Sequence, residues 1–563
     1  MKSKKLLTVL LSAAVISTVA LSGCGSTSSS SDTSSTTLDK DQHLNLSLPV
    51  SDVKTLDSSK GTDMYSAYVL QETQEALGRD ELKNGKETVV PAGATSWKSS
   101  SDGLTWTFKL RKSNWSDGKP VTADQYVYAL RRALDPNTAS EYAYLLQGAG
   151  IKNADDVNSG KLPLDQLGVS ASDDSTLVIT LSHPCAYFEK LLNFKFFIPL
   201  RKDIVEKAGA KYGSTADSLV YNGPFKITSM VSGSKLELVK NNSYWDKNNV
   251  KLDKITFDFM NDNSAQMNAL QSGEIDSVAV ISKEWNEKFS KNNKVVHKSS
   301  LLPTTGYLAF NFKDKNKLMT NDKIRKAIAL SLNRTDYLNI VGGGIGTPAN
   351  EYIPTDIQIG SSFYRDKVKS PLSQLTGDPK ALFSQGLKEL GMDPDPTKTT
   401  IVDTEAGVDA VAKKEGDLLI SELKNKIGVN VKVNYEEWKQ FLQDQSTLNF
   451  QMQSGEFWSA DYNDPMTFLD MWETSATAQT NAYSNKDYDA LIEDAKTQNN
   501  QSKRLEDFQK AEKILLVTDV PFATTYHQSS SSFTYNYVKG TQRLPFAAGS
   551  ELKYAYISGK ASK

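Results

Sequence analysis

The sequence predicts an α/β protein built as two or three lobes, and three observations carry that reading. Its 563 residues exceed the size at which a single hydrophobic core stops growing. Short stretches of strict alternation, such as Leu44-Asn45-Leu46-Ser47-Leu48, read as half-buried strands. Late in the chain, stripes at Tyr488, Leu491, Ile492, Ala495 and at Leu505, Phe508, Ala511, Leu515 have helical spacing and suit helices laid over a sheet.

The chain opens with Lys2, Lys4 and Lys5, an apolar run from Leu6 to Leu21 broken only by Ser and Thr, and then Leu21-Ser22-Gly23-Cys24. This reads as a secretory signal over residues 1–23 that ends in a lipobox. The alternative is an uncleaved anchor with a chance cysteine, but the run is short for a spanning helix and small residues precede the Cys. The segment resembles the leaders of bacterial lipoproteins, which implies a diacylglycerol with its two acyl chains (palmitate) on the Cys24 sulfur and a body held at the outer face of the cell membrane. From Gly25 to Thr37, 11 of 13 residues are Ser or Thr, so residues 24–37 are expected to form a lipidated cysteine and a flexible tether. Cys185 is the only other cysteine. With Cys24 lipidated it has no partner within the chain, and a buried structural thiol is the simpler reading than a nucleophile.

Lys+Arg 65 against Asp+Glu 67 leaves a formal charge of -2, which offers no nucleic-acid surface. After the first strand, Leu56 to Gly61 is a loop and Tyr65 to Leu77 a helix. Leu104, Trp106, Phe108 and Leu110 share one face of a strand that follows an Asp102-Gly103 hairpin turn. Thr122 and Gln125 form a capping box, the stripe Tyr126, Val127, Leu130, Leu134 marks the helix, and Asp135-Pro136 stops it. Val169 to Leu181 and Pro224 to Lys240 read as strand pairs. Leu270 to Asp276 reads as a helix end, a glycine cap and a short strand. Gly342-Gly343-Gly344-Ile345-Gly346 invites a nucleotide-loop reading, but no Lys-Ser/Thr follows it, so a loop is expected and no cofactor. Val429, Val431 and Val433 alternate as a strand ahead of Trp438.

The stretch most suggestive of chemistry is Phe457-Trp458-Ser459-Ala460-Asp461-Tyr462-Asn463-Asp464-Pro465. An acid between two aromatics, next to a turn, suits a cleft wall: Trp458 offers an apolar platform and Asp461 a charge for an ammonium group. It equally suits a strand end whose Trp is buried and whose Asp caps the turn.

Trp458, Ala460, Asp461, Tyr462, Asn463 and Pro465 resemble the Trp-x-Ala-Asp-Tyr-Asn-x-Pro segment of the extracellular oligopeptide-binding proteins of ABC importers (solute-binding protein family 5). The block from Trp97 to Ser140 and the segments that open at Tyr307 and Lys323 resemble that family in the same order. The resemblance implies a bilobal, periplasmic-binding-protein-like (Venus flytrap) fold with an additional small α+β domain. It places lobe I at residues 38–77, 202–304 and 524–560, the small domain at 78–201, and lobe II at 305–523. It also implies that Asp461 pairs with the amino terminus of a bound peptide, with Phe457, Trp458, Ser459 and Tyr462 around it. Thr62 to Met64 would lend backbone groups; Tyr142, Tyr307 and Trp438 align with cleft or pocket positions, and Tyr526 lies near the return to the first lobe. For Tyr142 ordinary packing is the alternative.

The expected function is therefore capture of extracellular oligopeptides by a monomer and delivery to permease subunits with cytoplasmic ATPases. Broad specificity requires that the peptide backbone be bound as an added strand, with side chains in wet, roomy pockets. Relatives that bind short peptides place basic residues against the ligand carboxylate, and the aligned positions here hold Gly455 and Gln445, so the far end of the peptide is expected to be unfixed and its length variable. A receptor for one signalling peptide, or a binder of nickel or an oligosaccharide, are the other binding readings. A secreted peptidase fails on inventory: no His-Glu-x-x-His or Gly-x-Ser-x-Gly occurs, and a zinc site would have to draw on the scattered His43, His183, His297 and His527.

Overall fold

The computed structural model describes residues 37–560, apart from 281, 477–478 and 547–548. The secretory signal, the lipidation at Cys24 and residues 24–36 of the tether lie outside the described residues. Among the described residues no helix is long and apolar enough to cross a membrane.

Among the described residues, three sheets of four or more strands organise the α/β fold. The first runs in the order His43–Leu48, Lys254–Phe259, Lys235–Lys240, Phe225–Val231, its first two strands parallel. The alternation at Leu44, Leu46 and Leu48 buries all three against Phe257, Leu236 and Leu238. The helix expected over 65–77 runs only from Met64 to Thr73. Beyond it the backbone finds tertiary partners: the Glu75 N–H donates to Asn222 Oδ1 at 2.9 Å and the Gly223 N–H to the Thr73 carbonyl at 3.1 Å. A side chain at 223 could not make this approach, since its Cβ would lie 2.5 Å from the Thr73 carbonyl carbon. The chain then enters a strand, Gly78–Lys83, paired with Lys86–Pro91.

The second sheet is antiparallel, in the order Ala94–Ser99, Thr105–Leu110, Thr176–Thr180, Val169–Asp173. Its hairpin turns through Gly103 at φ 74°, the left-handed conformation that glycine adopts freely. The helix Ala123–Leu134 packs beside it, its capping box formed as the Thr122 N–H donates to Gln125 Oε1 at 3.1 Å. One apolar cluster runs from Phe108, Leu130 and Phe188 of this layer through Tyr462 and Trp472 to Phe508, with Tyr187 stacked on Tyr462 at 4.5 Å between ring centres.

The third sheet has seven strands. Six run in the order Ser277–Ala279, Phe522–Tyr535, Val295–Phe310, Met452–Ser459, Thr400–Ala406, Asn430–Glu436. The seventh, Gly346–Pro348, follows the glycine run and pairs with Phe522–Tyr535. Thr400–Ala406 and Asn430–Glu436 are parallel, joined through the helix Ala410–Lys426. Helices Lys486–Lys496 and Gln501–Lys513 bury Tyr488, Ile492, Ala495, Phe508 and Ala511 of the stripes expected of them; Leu491 and Leu505 are half-buried, and Leu515 is buried just beyond the second helix.

Two strands of this sheet are long, Val295–Phe310 with 16 residues and Phe522–Tyr535 with 14. Their outer ends carry Ser277–Ala279, which follows the helix Asn263–Ser272 and its glycine cap, and their inner ends lie in the core beside Met452–Ser459. The pairing between them slips at Leu301/Thr305 and again at Thr305/Tyr307. Such irregularities bend a ladder and free its edge groups, and this one lies where the strand passes from exposed to buried.

Candidate functional site

At that irregularity lies a cavity of about 550 Å³, within the range that holds small organic ligands. Its walls come from the start of the helix at Thr62–Met64, the strand pair through Arg79 and Glu87, the segment Asn193–Lys195, the slipped residues Leu302–Thr304, the segment Ser459–Asn463, and the C-terminal ribbon at Arg543–Phe546.

The wall at 459–463 is fastened from both sides. The Ala460 N–H donates to the Pro303 carbonyl at 2.8 Å, and the hydroxyls of Thr304 and Ser459 lie 2.8 Å apart. The Asp461 N–H donates to Thr467 Oγ1 at 3.0 Å, while the indole N–H of Trp458 donates to the Thr467 carbonyl at 2.7 Å. Asn463 accepts the Gln358 N–H at 2.8 Å and donates to Glu87 Oε2 at 3.2 Å. Asp464 is gripped by Arg504 through two bonds of 2.6 and 3.0 Å, both side chains buried. Every residue around Asp461 is thus committed to structure, and the carboxylate is held in place.

Asp461 itself is half-buried at the wall. Its Oδ2 accepts the Tyr144 hydroxyl at 2.7 Å; among the described residues Oδ1 has no hydrogen bond. Burial pushes its pKa up to about 6, against the opposing pull of the Tyr144 bond and the Lys195 charge. Lys195 sits 4.1 Å above the Tyr142 ring, donates to the Gly61 carbonyl, and is driven down to about 8 by burial. Tyr142 and Tyr144 stack at 5.9 Å. The cleft therefore offers an acceptor of strong but unmet capacity beside an aromatic pair, chemistry suited to an ammonium group.

Of the residues singled out in the sequence, Asp461, Ser459, Tyr462, Tyr142, Thr62 and Met64 share this cavity. Tyr462 contributes an edge only, its ring stacked on Tyr187 and its hydroxyl 3.3 Å from Asp470. The others stand elsewhere. Trp458 is half-buried against the apolar core rather than at the cavity wall. Phe457 is exposed beside it and meets Tyr526 edge-on at 5.4 Å. Tyr307 is buried, with its hydroxyl 3.3 Å from Glu456. Trp438 opens the helix Trp438–Ser446, 58 % exposed and stacked on Phe441, away from this cavity.

Gly455 and Gln445 face acids. Gln445 donates to Glu456 Oε2 at 3.0 Å, and Gly455 takes φ 75°, where a Cβ would lie 2.6 Å from Glu405 Oε1. Asp403, Glu405 and Glu415 are buried close by, all with raised pKa values through burial first; the Glu415 charge adds to the rise at Asp403, against the Ser454 hydrogen bond, and Glu415 and Asp403 add to it at Glu405. Among the described residues no group of three or more His, Cys, Asp or Glu side chains is placed to hold a metal ion.

Tyr144 and Lys195 escaped the sequence reading. Tyr144 lies two residues from Tyr142, and the i, i+2 spacing across a helix start placed it on no obvious face. Lys195 carried a signal, a lone cation inside Phe194-Lys195-Phe196-Phe197.

Comparison with known proteins agrees with this architecture. Residues 88–480 match the family described as bacterial extracellular solute-binding proteins, family 5 Middle. The dipeptide-binding protein DppE of Bacillus subtilis is 31% identical over 457 residues, which is 81% of this chain and 82% of that protein. The substrate-binding domain of an oligopeptide ABC transporter from Bacillus anthracis superposes with a TM-score of 0.76 at 32% identity, covering 93% of this chain and 100% of that one. Listeria monocytogenes OppA bound to peptide gives a TM-score of 0.74 at 32% identity, covering 92% and 100%.

Proposed function

This chain belongs to the bacterial extracellular solute-binding proteins, family 5, and we propose that it captures oligopeptides in the cleft at Asp461 and delivers them to an ABC importer. The observation that carries this reading is the Asp461 carboxylate: fixed by its neighbours, desolvated at the wall of a cavity of about 550 Å³, and with Oδ1 unpartnered among the described residues. An ammonium about 4 Å away gains roughly 4 kcal/mol of gross attraction at an effective dielectric of 20, before desolvation is subtracted. That is enough to set the register of a guest whose backbone is bound without regard to sequence. Main-chain groups at Thr62 and Ser459, with the slipped strand at Leu302–Thr304, supply the edge to which an extended peptide adds.

In this reading residues 38–77, 202–304 and 524–560 form one lobe, 305–523 the other and 78–201 the added domain. Closure about the long strands buries the guest, favoured by the contacts made only in the closed form. Phe457 and Trp438, both exposed, line side-chain pockets once the lobes close, whereas Tyr307 and Tyr526 are buried in the core. The protein works as a monomer, lipidated at Cys24 and tethered by residues 24–37 to the outer face of the membrane, where permease subunits with cytoplasmic ATPases receive the cargo. The resemblance of the relatives' names, dipeptide- and oligopeptide-binding, supports a peptide over nickel or an oligosaccharide.

Incubation of the purified protein with a peptide digest, followed by mass spectrometry of what it retains, tests this directly. Mixed peptides with free amino ends are the expected catch. Retention of no peptide would overturn the reading.

A further inference from the structure

The cavity holds a second charged pole whose partner is missing. Arg543 lies on its wall, on the short strand Gln542–Arg543 paired with Ser550–Glu551. Its Nε is buried without a hydrogen-bond partner, and among the described residues the guanidinium makes no ion pair. The neighbouring acids are already engaged. Glu551 accepts Arg79 at 2.6 Å, and Glu75 accepts both Arg79 at 3.0 Å and the Trp245 indole N–H at 2.6 Å. Glu72 takes the Leu552 N–H at 3.3 Å, and its pKa is raised by burial first and by Glu551 second, against the opposing pull of Arg79.

Titration separates this cation from the other desolvated groups of the cavity. Asp80 and Glu87 are also buried at the wall, and burial raises both pKa values, that of Asp80 to about 7; a carboxyl in such a place can relieve the cost of a bare charge by taking up a proton. Lys195 moves the other way and sheds part of its charge. An arginine has no such exit at any physiological pH. A desolvated guanidinium without a counter-ion is costly, and its planar fork of donors matches a carboxylate in two-point contact.

We propose that Arg543 receives a carboxylate of the guest peptide, so that the cavity has an acid for the amine at Asp461 and a fixed cation for an acid at its C-terminal ribbon. The inference rests on the cavity being the peptide site. It revises the expectation of an unfixed far end, which came from Gly455 and Gln445, neither of which lines this cavity. The carboxylate can be the peptide's own C-terminus or an Asp or Glu side chain; the chemistry at Arg543 is shared.

The test is calorimetric titration of the purified protein and its Arg543→Met variant with tri-, tetra- and penta-alanine, each as free acid and as C-terminal amide. A second arm uses the amides with one Glu or one Gln at each inner position. In the wild type, at least one length or position should lose tenfold or more in affinity when its carboxylate becomes an amide. In Arg543→Met that penalty should disappear, acid and amide binding alike. A penalty in the first arm identifies the C-terminus, in the second a side chain. Thermal unfolding supplies the control: ligand-free Arg543→Met should melt at or above the wild-type temperature, because an unpaired charge has been removed, whereas a purely structural arginine would lower it. Equal binding of acids and amides in both arms, or a penalty that persists in Arg543→Met, overturns the proposal while leaving peptide capture at Asp461 standing. Failure of the wild type to bind any alanine peptide would instead overturn the peptide reading and this inference with it.

Discussion

The Tyr144 hydroxyl donates to Asp461 Oδ2 at 2.7 Å across 317 residues of sequence. The bond ties the helix start at Ala143 to the wall that carries the acid, and it stabilises the charged form of a carboxylate that burial is pushing toward protonation.

Affinity for a free-amine peptide should accordingly follow the ionisation of Asp461. The ligand-free carboxyl titrates at about 6, so binding is full above that pH and falls as pH drops through it, close to tenfold per further pH unit. Above about pH 8 the guest's own α-amine loses its proton and affinity declines again. Tyr144→Phe removes a bond that favours the carboxylate, so the acid limb moves toward neutral pH and affinity at pH 7 drops by about 3- to 10-fold. Titrations between pH 5 and 9 with both proteins check this; identical acid limbs would contradict it.

Much of the scaffold was legible because it depends on local periodicity. The leucines of 44–48, the capping box at Thr122 and Gln125, and the hairpin at Gly103 are decided by neighbours a few residues away, and each stands as expected. The helix that ends at Thr73 instead of Leu77 was lost to partners about 150 residues away, Asn222 and Gly223, which no local pattern encodes. The site divides in the same way. Asp461, singled out by its motif, lines the cavity, while Lys195 and Arg543 reach its wall and Tyr144 reaches Asp461 through tertiary folding. Trp458 shows the converse: a residue that looks like a platform can bond its indole to Thr467 and face the core.

The buried acids near Gly455 predict the pH dependence of stability. Ser454 Oγ lies 2.5 Å from both Asp403 and Glu405, and one hydroxyl hydrogen serves only one of them, so the other must carry a proton. Asp403 is raised to about 8 and Glu415 to about 7, against about 4 in an unfolded chain. The native state therefore binds more protons than the unfolded state over this window, and stability is full below about pH 4 for this cluster and lost as pH rises through 7 to 8. Denaturant unfolding should give a lower free energy at pH 8.5 than at pH 6, and Glu405→Gln should flatten that slope. A slope that Glu405→Gln leaves unchanged would contradict the assignment.

Arg504 and Asp464 hold the segment behind Asp461 through a buried two-point pair. Arg504→Met leaves the Asp464 carboxylate buried and alone, which should cost about 3–5 kcal/mol. Urea unfolding measures this, and a loss under about 1 kcal/mol would show that the pair contributes little.

Cys185 is buried and burial pushes its thiol up to about 12. With Cys24 replaced by Ser, the folded protein should therefore be inert to a thiol-specific chromogenic reagent at pH 8, and should release one equivalent only on unfolding. Rapid reaction of the native protein would mean an accessible thiolate.

The most direct measurement is a titration of the wild type with one tripeptide in two forms, its α-amine free or acetylated, at pH 7 and unchanged ionic strength. If Asp461 grips the leading amine, acetylation should weaken binding by about 100-fold or more, and Asp461→Asn should bind the two forms equally. Equal affinity of both forms for the wild type would contradict the account at its centre.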